Sequence, residues 1–152
     1  MLRALPGSDY GRTMLRPLGL VVAVAIAVGV ACGSSGPAAP ELRAGRETYG
    51  DVCSTCHGSR GQGGVGPALD HVLETWPSCD DHQRWIALGS EGWKAEVGPT
   101  YGATGIAITE VMPGQAGSLS DREIAEVAAF ERVEYGGGEV AAVLADCGLG
   151  EP

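Results

Sequence analysis

Apolar positions along the chain fall into four blocks, and only one of them is continuous. Leu18 to Ala31 is an unbroken small and apolar run, shorter than the about 20 residues that a membrane-spanning helix needs. Further on, Leu42, Gly45, Tyr49 and Val52 recur at steps of three and four. This spacing predicts an amphipathic helix from Glu41 that delivers Cys53 from its last turn. Ser78, with Asp81 three residues later, marks the start of a second helix, and Asp80 and Asp81 suit the positive end of its first turn. Trp85, Ile86 and Leu88 supply its apolar side, and Gly89 stops it. The last marked helix opens with Ser120 and Glu123 as a capping box, buries Ile124, Val127, Ala128, Phe130 and Val133, and ends at Gly136-Gly137-Gly138. Between these blocks, Gly61 to Leu69 and Ser90 to Glu110 are glycine-rich without a period and read as loop. The fold class expected is all-α.

The first block is read as an export signal, because Arg3, Arg12 and Arg16 precede it and small residues close it. Gly29-Val30-Ala31-Cys32 resembles the lipobox of bacterial lipoproteins, in which the cysteine becomes the lipidated first residue; Gly29 stands where a large aliphatic residue is usual. An ordinary signal cut near Ala31 and an uncleaved anchor are the alternatives. The expected organisation is a signal over residues 1–31, a flexible Gly/Ser/Pro/Ala tether over 32–40 and one domain over 41–152. It places the domain outside the cytoplasm, at the outer face of the cytoplasmic membrane or in the periplasm, with a lipid anchor on Cys32. Losing Arg3, Arg12, Arg16 and Asp9 with the signal takes the formal charge from −9 to −11. That balance excludes a basic nucleic-acid footprint. It favours partners with a basic docking surface, or serves only to keep an exported protein soluble. A single Phe and 25 Gly give a thin core, so a buried cofactor would have to supply apolar volume.

Cys53-Ser54-Thr55-Cys56-His57 identifies that cofactor. Two cysteines separated by two residues, with a histidine directly behind, form the attachment signature of haem c. A thioredoxin-like redox pair needs a strand ahead of the motif, where the pattern is helical. A zinc site needs a second ligand pair, and none follows. The loop Gly61 to Leu69 lacks the Gly-Lys-Ser/Thr ending of a phosphate cradle and instead lets backbone pass close to a flat ligand. Met1 and Met14 lie in the signal, leaving Met112 as the domain's one thioether, in the irregular segment Val111-Met112-Pro113-Gly114. A soft sulfur opposite His57 would favour ferrous iron; His71 and His82 are the substitutes. Cys79 and Cys147 remain, and outside the cytoplasm they are expected to pair, the alternative being two unrelated thiols.

Taken in order, Gly45 and Tyr49, the Cys53–His57 motif, Gly66-Pro67-Ala68-Leu69, Trp85-Ile86 before Gly89, Met112-Pro113, and a last helix carrying Phe130 resemble a class I c-type cytochrome over Glu41 to Gly136. The resemblance implies a small cytochrome c fold around one covalent haem. Its first and last helices would cross with Gly45 against Phe130, and Tyr49, Leu69 and Trp85 would stand about the pocket. It also implies that the Pro67 carbonyl accepts the His57 ring N–H, and that His57 and Met112 are the two axial ligands. The activity implied is single-electron transfer between redox proteins, by a tethered carrier or a fixed subunit of a membrane respiratory complex. A ligand-binding sensor or peroxidase-like enzyme is the rival class, and would need Met112 to be labile. Ser90 to Glu110, with Trp93 and Tyr101, falls outside the resemblance; there these aromatics are expected to cover a haem propionate or form an interface.

Overall fold

The computed structural model describes residues 39–150. The signal run, Cys32 and the tether up to residue 38 lie outside the described residues. The chain enters through a 3₁₀ turn, Pro40–Leu42, and continues into α1, Arg43–Thr48. Tyr49–Cys53 is a π-helical turn, and α2, Ser54–His57, follows without a break. The first helix therefore runs through the cysteine motif to His57 rather than ending at Cys53. The wider π turn also alters the predicted stripe. Leu42, Gly45 and Tyr49 are buried, whereas Val52 is exposed at the rim of a cavity. Single π turns of this kind are frequent at functional sites.

α3, Val72–Thr75, is one turn. α4, Cys79–Glu96, opens on Ser78, whose hydroxyl accepts from the Asp81 N–H. Gly89 interrupts it with φ 64°, a conformation that favours glycine. The chain then resumes a helix to Glu96 instead of remaining loop. Ser90 to Glu110 thus contains helix up to Glu96, a 3₁₀ turn at Gly102–Thr104 and one bridge pairing Thr100 with Ala107. α5, Asp121–Glu134, carries the Ser120–Glu123 capping box. It is not the final helix, because α6, Val140–Asp146, follows the glycine triplet. The Glu139 carboxylate caps α6 by accepting from the N–H groups of Ala141 and Ala142. No strand longer than the single bridge occurs among the described residues, and no helix there is long and apolar enough to cross a membrane.

α1 and α5 cross at close range. A Cβ on Gly45 would collide with the Glu126 carbonyl and come within 2.9 Å of Phe130 Cβ. Behind it, Tyr49, Phe130 and Tyr135 pack with ring centroids 5.1–5.5 Å apart. Gly45→Ala is therefore expected to cost about 1–3 kcal/mol by overpacking, read as a lowered Tm of the holoprotein. An unchanged Tm would mean the helices can separate without penalty.

A second cluster stacks Trp76, Trp85 and Trp93 with centroids 4.9–5.9 Å apart. Trp93 is 3% exposed and donates its ring N–H to Thr100 O, so it is core and not an interface residue. Cys79 and Cys147 are joined by a disulfide that ties the start of α4 to the end of α6. Beside it Arg132, buried in α5, donates to the carbonyls of Trp76, Pro77 and Ser78 and to the Asp146 carboxylate. Asp146 in turn accepts from Cys79 N–H, so the guanidinium knits the α3–α4 junction to α6.

Candidate haem site

One cavity of about 620 Å³ opens between the cysteine motif, α4 and the loop before α5. Cys53, Cys56 and His57 line it from one side of the chain, and Met112 and Pro113 from another. Leu69, Trp85, Ile86 and Tyr101 also form its wall. Residues 57 and 112, far apart in sequence, thus line one cavity. Gly45, Tyr49 and Phe130 do not line it; they hold the helix crossing behind it.

The histidine is fixed by the loop that follows it. His57 Nδ1 lies 2.9 Å from Pro67 O. A carbonyl can only accept, so Nδ1 carries the proton and Nε2 keeps its lone pair, the form required of a metal ligand. Gly66 allows this approach, because a Cβ there would stand 2.9 Å from the imidazole ring. Tyr49 braces the end of the motif by donating its hydroxyl to Gly58 O at 2.5 Å.

Cys53 and Cys56 are free thiols, both part-buried. Burial, and then the nearby Glu131 carboxylate, push the Cys53 thiol up to about 12. Reactive redox cysteines sit in electropositive surroundings that lower the thiol pKa. Cys53 has the opposite environment, which argues against the thioredoxin-like alternative. Among the described residues no group of three or more His, Cys, Asp or Glu is placed to hold a metal ion. A large cavity walled by apolar side chains, two thiols at its edge, an imidazole with an open Nε2 and a thioether on another wall together fit a covalently attached haem.

The two substitute histidines are placed differently. His71 is largely exposed beside Glu74 and does not line the cavity. His82 does line it, but its Nε2 lies 3.1 Å from the Glu131 carboxylate, with both side chains buried. This pair was not anticipated, although its signal was present. His82 precedes Trp85, Ile86 and Gly89 at steps of three, four and seven, and Glu131 follows Ile124, Val127 and Ala128 at steps of seven, four and three. Both polar residues therefore fall on buried stripes.

Among solved structures the chain is similar to the c-type cytochrome XoxG from Methylobacterium extorquens AM1, with 20% identity and a TM-score of 0.46 over 64% of this chain and 52% of that one. It is also similar to cytochrome CL from Methylophaga aminisulfidivorans MPT, at 23% identity and TM-score 0.44 over 62% and 53%. Cytochrome cL from Hyphomicrobium denitrificans gives 23% and 0.41 over 60% and 46%. The chain spans about half the length of these structures. No curated protein matches it. Residues 40–130, more than half of the chain, match the family described as cytochrome c oxidase, cbb3-type, subunit III. The protein belongs to that family of c-type cytochromes, which carry covalently attached haem c.

Proposed function

We propose that this electron-transfer cytochrome is an exported, lipid-tethered carrier of single electrons in which Cys53 and Cys56 hold one haem and His57 and Met112 fill both axial positions. The observation that carries the reading is the meeting of His57, with Nε2 open, and Met112 in one cavity. Bound haem supplies the one-electron couple. The chain does the rest. The Pro67 carbonyl orients His57 and raises its basicity, and the Met112 sulfur would favour the reduced state of the haem that it and His57 would hold. The tether on Cys32 rests on the sequence around that residue.

The rim of the cavity supports a docking role. Val52, Val65, Ile106 and Val111 are exposed, three of them at 63–81%, and all four line the cavity. Elsewhere among the described residues, Val97 is the one large apolar side chain so exposed. An apolar collar on a strongly acidic protein suits a redox partner whose own apolar patch is ringed by basic residues. A second reading, a fixed subunit of a membrane respiratory complex, is favoured by the family's description as an oxidase subunit. Copurification with other subunits from mild detergent extracts would support it over a free shuttle.

Optical spectra of the holoprotein test the ligand set. A far-red sulfur-to-iron band in the ferric state, and a ferrous spectrum that carbon monoxide leaves unchanged, are expected. Met112→Ala should abolish the band, admit carbon monoxide and lower the reduction potential by a sizeable part of the roughly 0.8 V that axial ligands span. Carbon monoxide binding to the wild-type ferrous protein would instead favour the sensor or enzyme reading.

A further inference from the structure

Ser90 follows the Gly89 kink and is completely buried. In an unbroken helix its N–H would bond to Ile86 O. Here it donates to Met112 O at 2.9 Å, and Ile86 O accepts from Gln115 N instead. Ala87 O, freed by the same kink, accepts from Ala116 N. The Ser90 hydroxyl uses both of its capacities on the same segment. It accepts from Met112 N at 2.6 Å and donates to Glu110 O at 2.8 Å. The kink itself is pressed against this segment, since a Cβ on Gly89 would collide with Gly114 N and Met112 O.

We propose that Ser90 is the positioning residue for Met112, a serine clamp that fixes the peptide groups on both sides of the methionine and so sets where its sulfur stands. The inference rests on Met112 being the axial ligand. A thioether is a weak ligand on a long, flexible side chain, and its occupancy depends on how far the backbone that carries it can move. Three hydrogen bonds from one buried residue remove that freedom more effectively than packing of an otherwise irregular loop. Glycine at 89 is what places both the Ser90 N–H and its hydroxyl on the loop side.

Amide hydrogen exchange on the wild-type holoprotein gives the first test, with no variant needed. Met112 N–H should be protected at least about tenfold more than Val111 N–H, for which no backbone partner is present; equal exchange would overturn the clamp. The second test compares Ser90→Ala with Val143→Ala, a core change in α6 off the cavity wall. Ser90→Ala should weaken the far-red band, speed exchange at Met112 by roughly tenfold and make the ferrous protein bind carbon monoxide, whereas Val143→Ala should lower Tm and leave all three unchanged. If Ser90→Ala keeps the wild-type band and carbon monoxide response, or if both variants shift them alike, the clamp is wrong and the ligand assignment stands. If the wild-type protein itself lacks the band, the ligand assignment fails and the clamp falls with it.

Discussion

A Cys53→Ala/Cys56→Ala chain purified free of haem is expected to lose its cooperative thermal transition and its near-ultraviolet circular dichroism. The cavity of about 620 Å³ lies between the cysteine motif, α4 and the loop before α5. At ~24 cal/mol per Å³, leaving it empty would cost about 15 kcal/mol. Its open mouth admits water and makes that an upper bound, yet the whole stability of a domain is only about 5–15 kcal/mol. The Cys79–Cys147 bond remains in this variant and restricts the unfolded chain by about 2–4 kcal/mol, too little to restore the margin. The parts nearest the cavity should suffer most. Trp85 and Ile86 of α4 and the Met112 loop lose their common partner, while the crossing of α1 with α5 keeps its own contacts. A haem-free chain that melted cooperatively near the holoprotein's Tm would show that the helices alone specify the fold.

The second large effect concerns the buried pair in the cavity wall. His82 Nε2 and the Glu131 carboxylate are 3.1 Å apart, at 3% and 6% exposure. Replacing His82 by Leu leaves the carboxyl buried without its partner, and such a loss costs about 3–5 kcal/mol. Glu131→Leu strands the imidazole, whose Nδ1 already lacks a partner. The double His82→Leu/Glu131→Leu variant should recover most of the loss, because well-packed apolar residues replace a buried pair at little or no cost. Denaturation of the wild-type holoprotein and the three variants as a double-mutant cycle gives the coupling directly. Two single variants within about 1 kcal/mol of wild type, with no coupling, would mean that water reaches the pair. Glu131 also stands beside Cys53. Polar groups are thus retained on both α4 and α5 where each stripe faces the cavity.

Legibility in the sequence followed the range of the interaction. Helix starts with short-range side-chain caps were readable, as Ser78 and Ser120 show, since the cap and its N–H partner lie three residues apart. The start of α6 was not read, because its cap is a glutamate after three glycines and its seven residues are too few to declare a period. Gly89 was read as a stop and proved a hinge. The N–H and carbonyl groups it frees are satisfied by Met112, Gln115 and Ala116, more than twenty residues away, so helix resumes at Ser90. For the same reason the sequence leaves Trp93 in a loop, as a cover for a haem propionate or an interface residue. Once α4 continues, the helical step of eight residues from Trp85 brings it into the tryptophan core.

What the sequence alone determined is the chemistry: Cys53, Cys56 and His57 at the attachment spacing, one thioether in the domain, four apolar blocks and the family order that joins them. These are local patterns of residue type, and covalent chemistry depends on little else. The family resemblance already implied that His57 and Met112 face one haem and that the Pro67 carbonyl takes the imidazole's proton, and the structure brings these residues together; only the tertiary structure decided that Ser90 holds the Met112 loop and that His82 faces Glu131. Each of these joins residues 10 to 55 positions apart in sequence. Their meeting depends on where the kink, the glycine loop and the α1–α5 crossing send the backbone, and no local pattern contains that information.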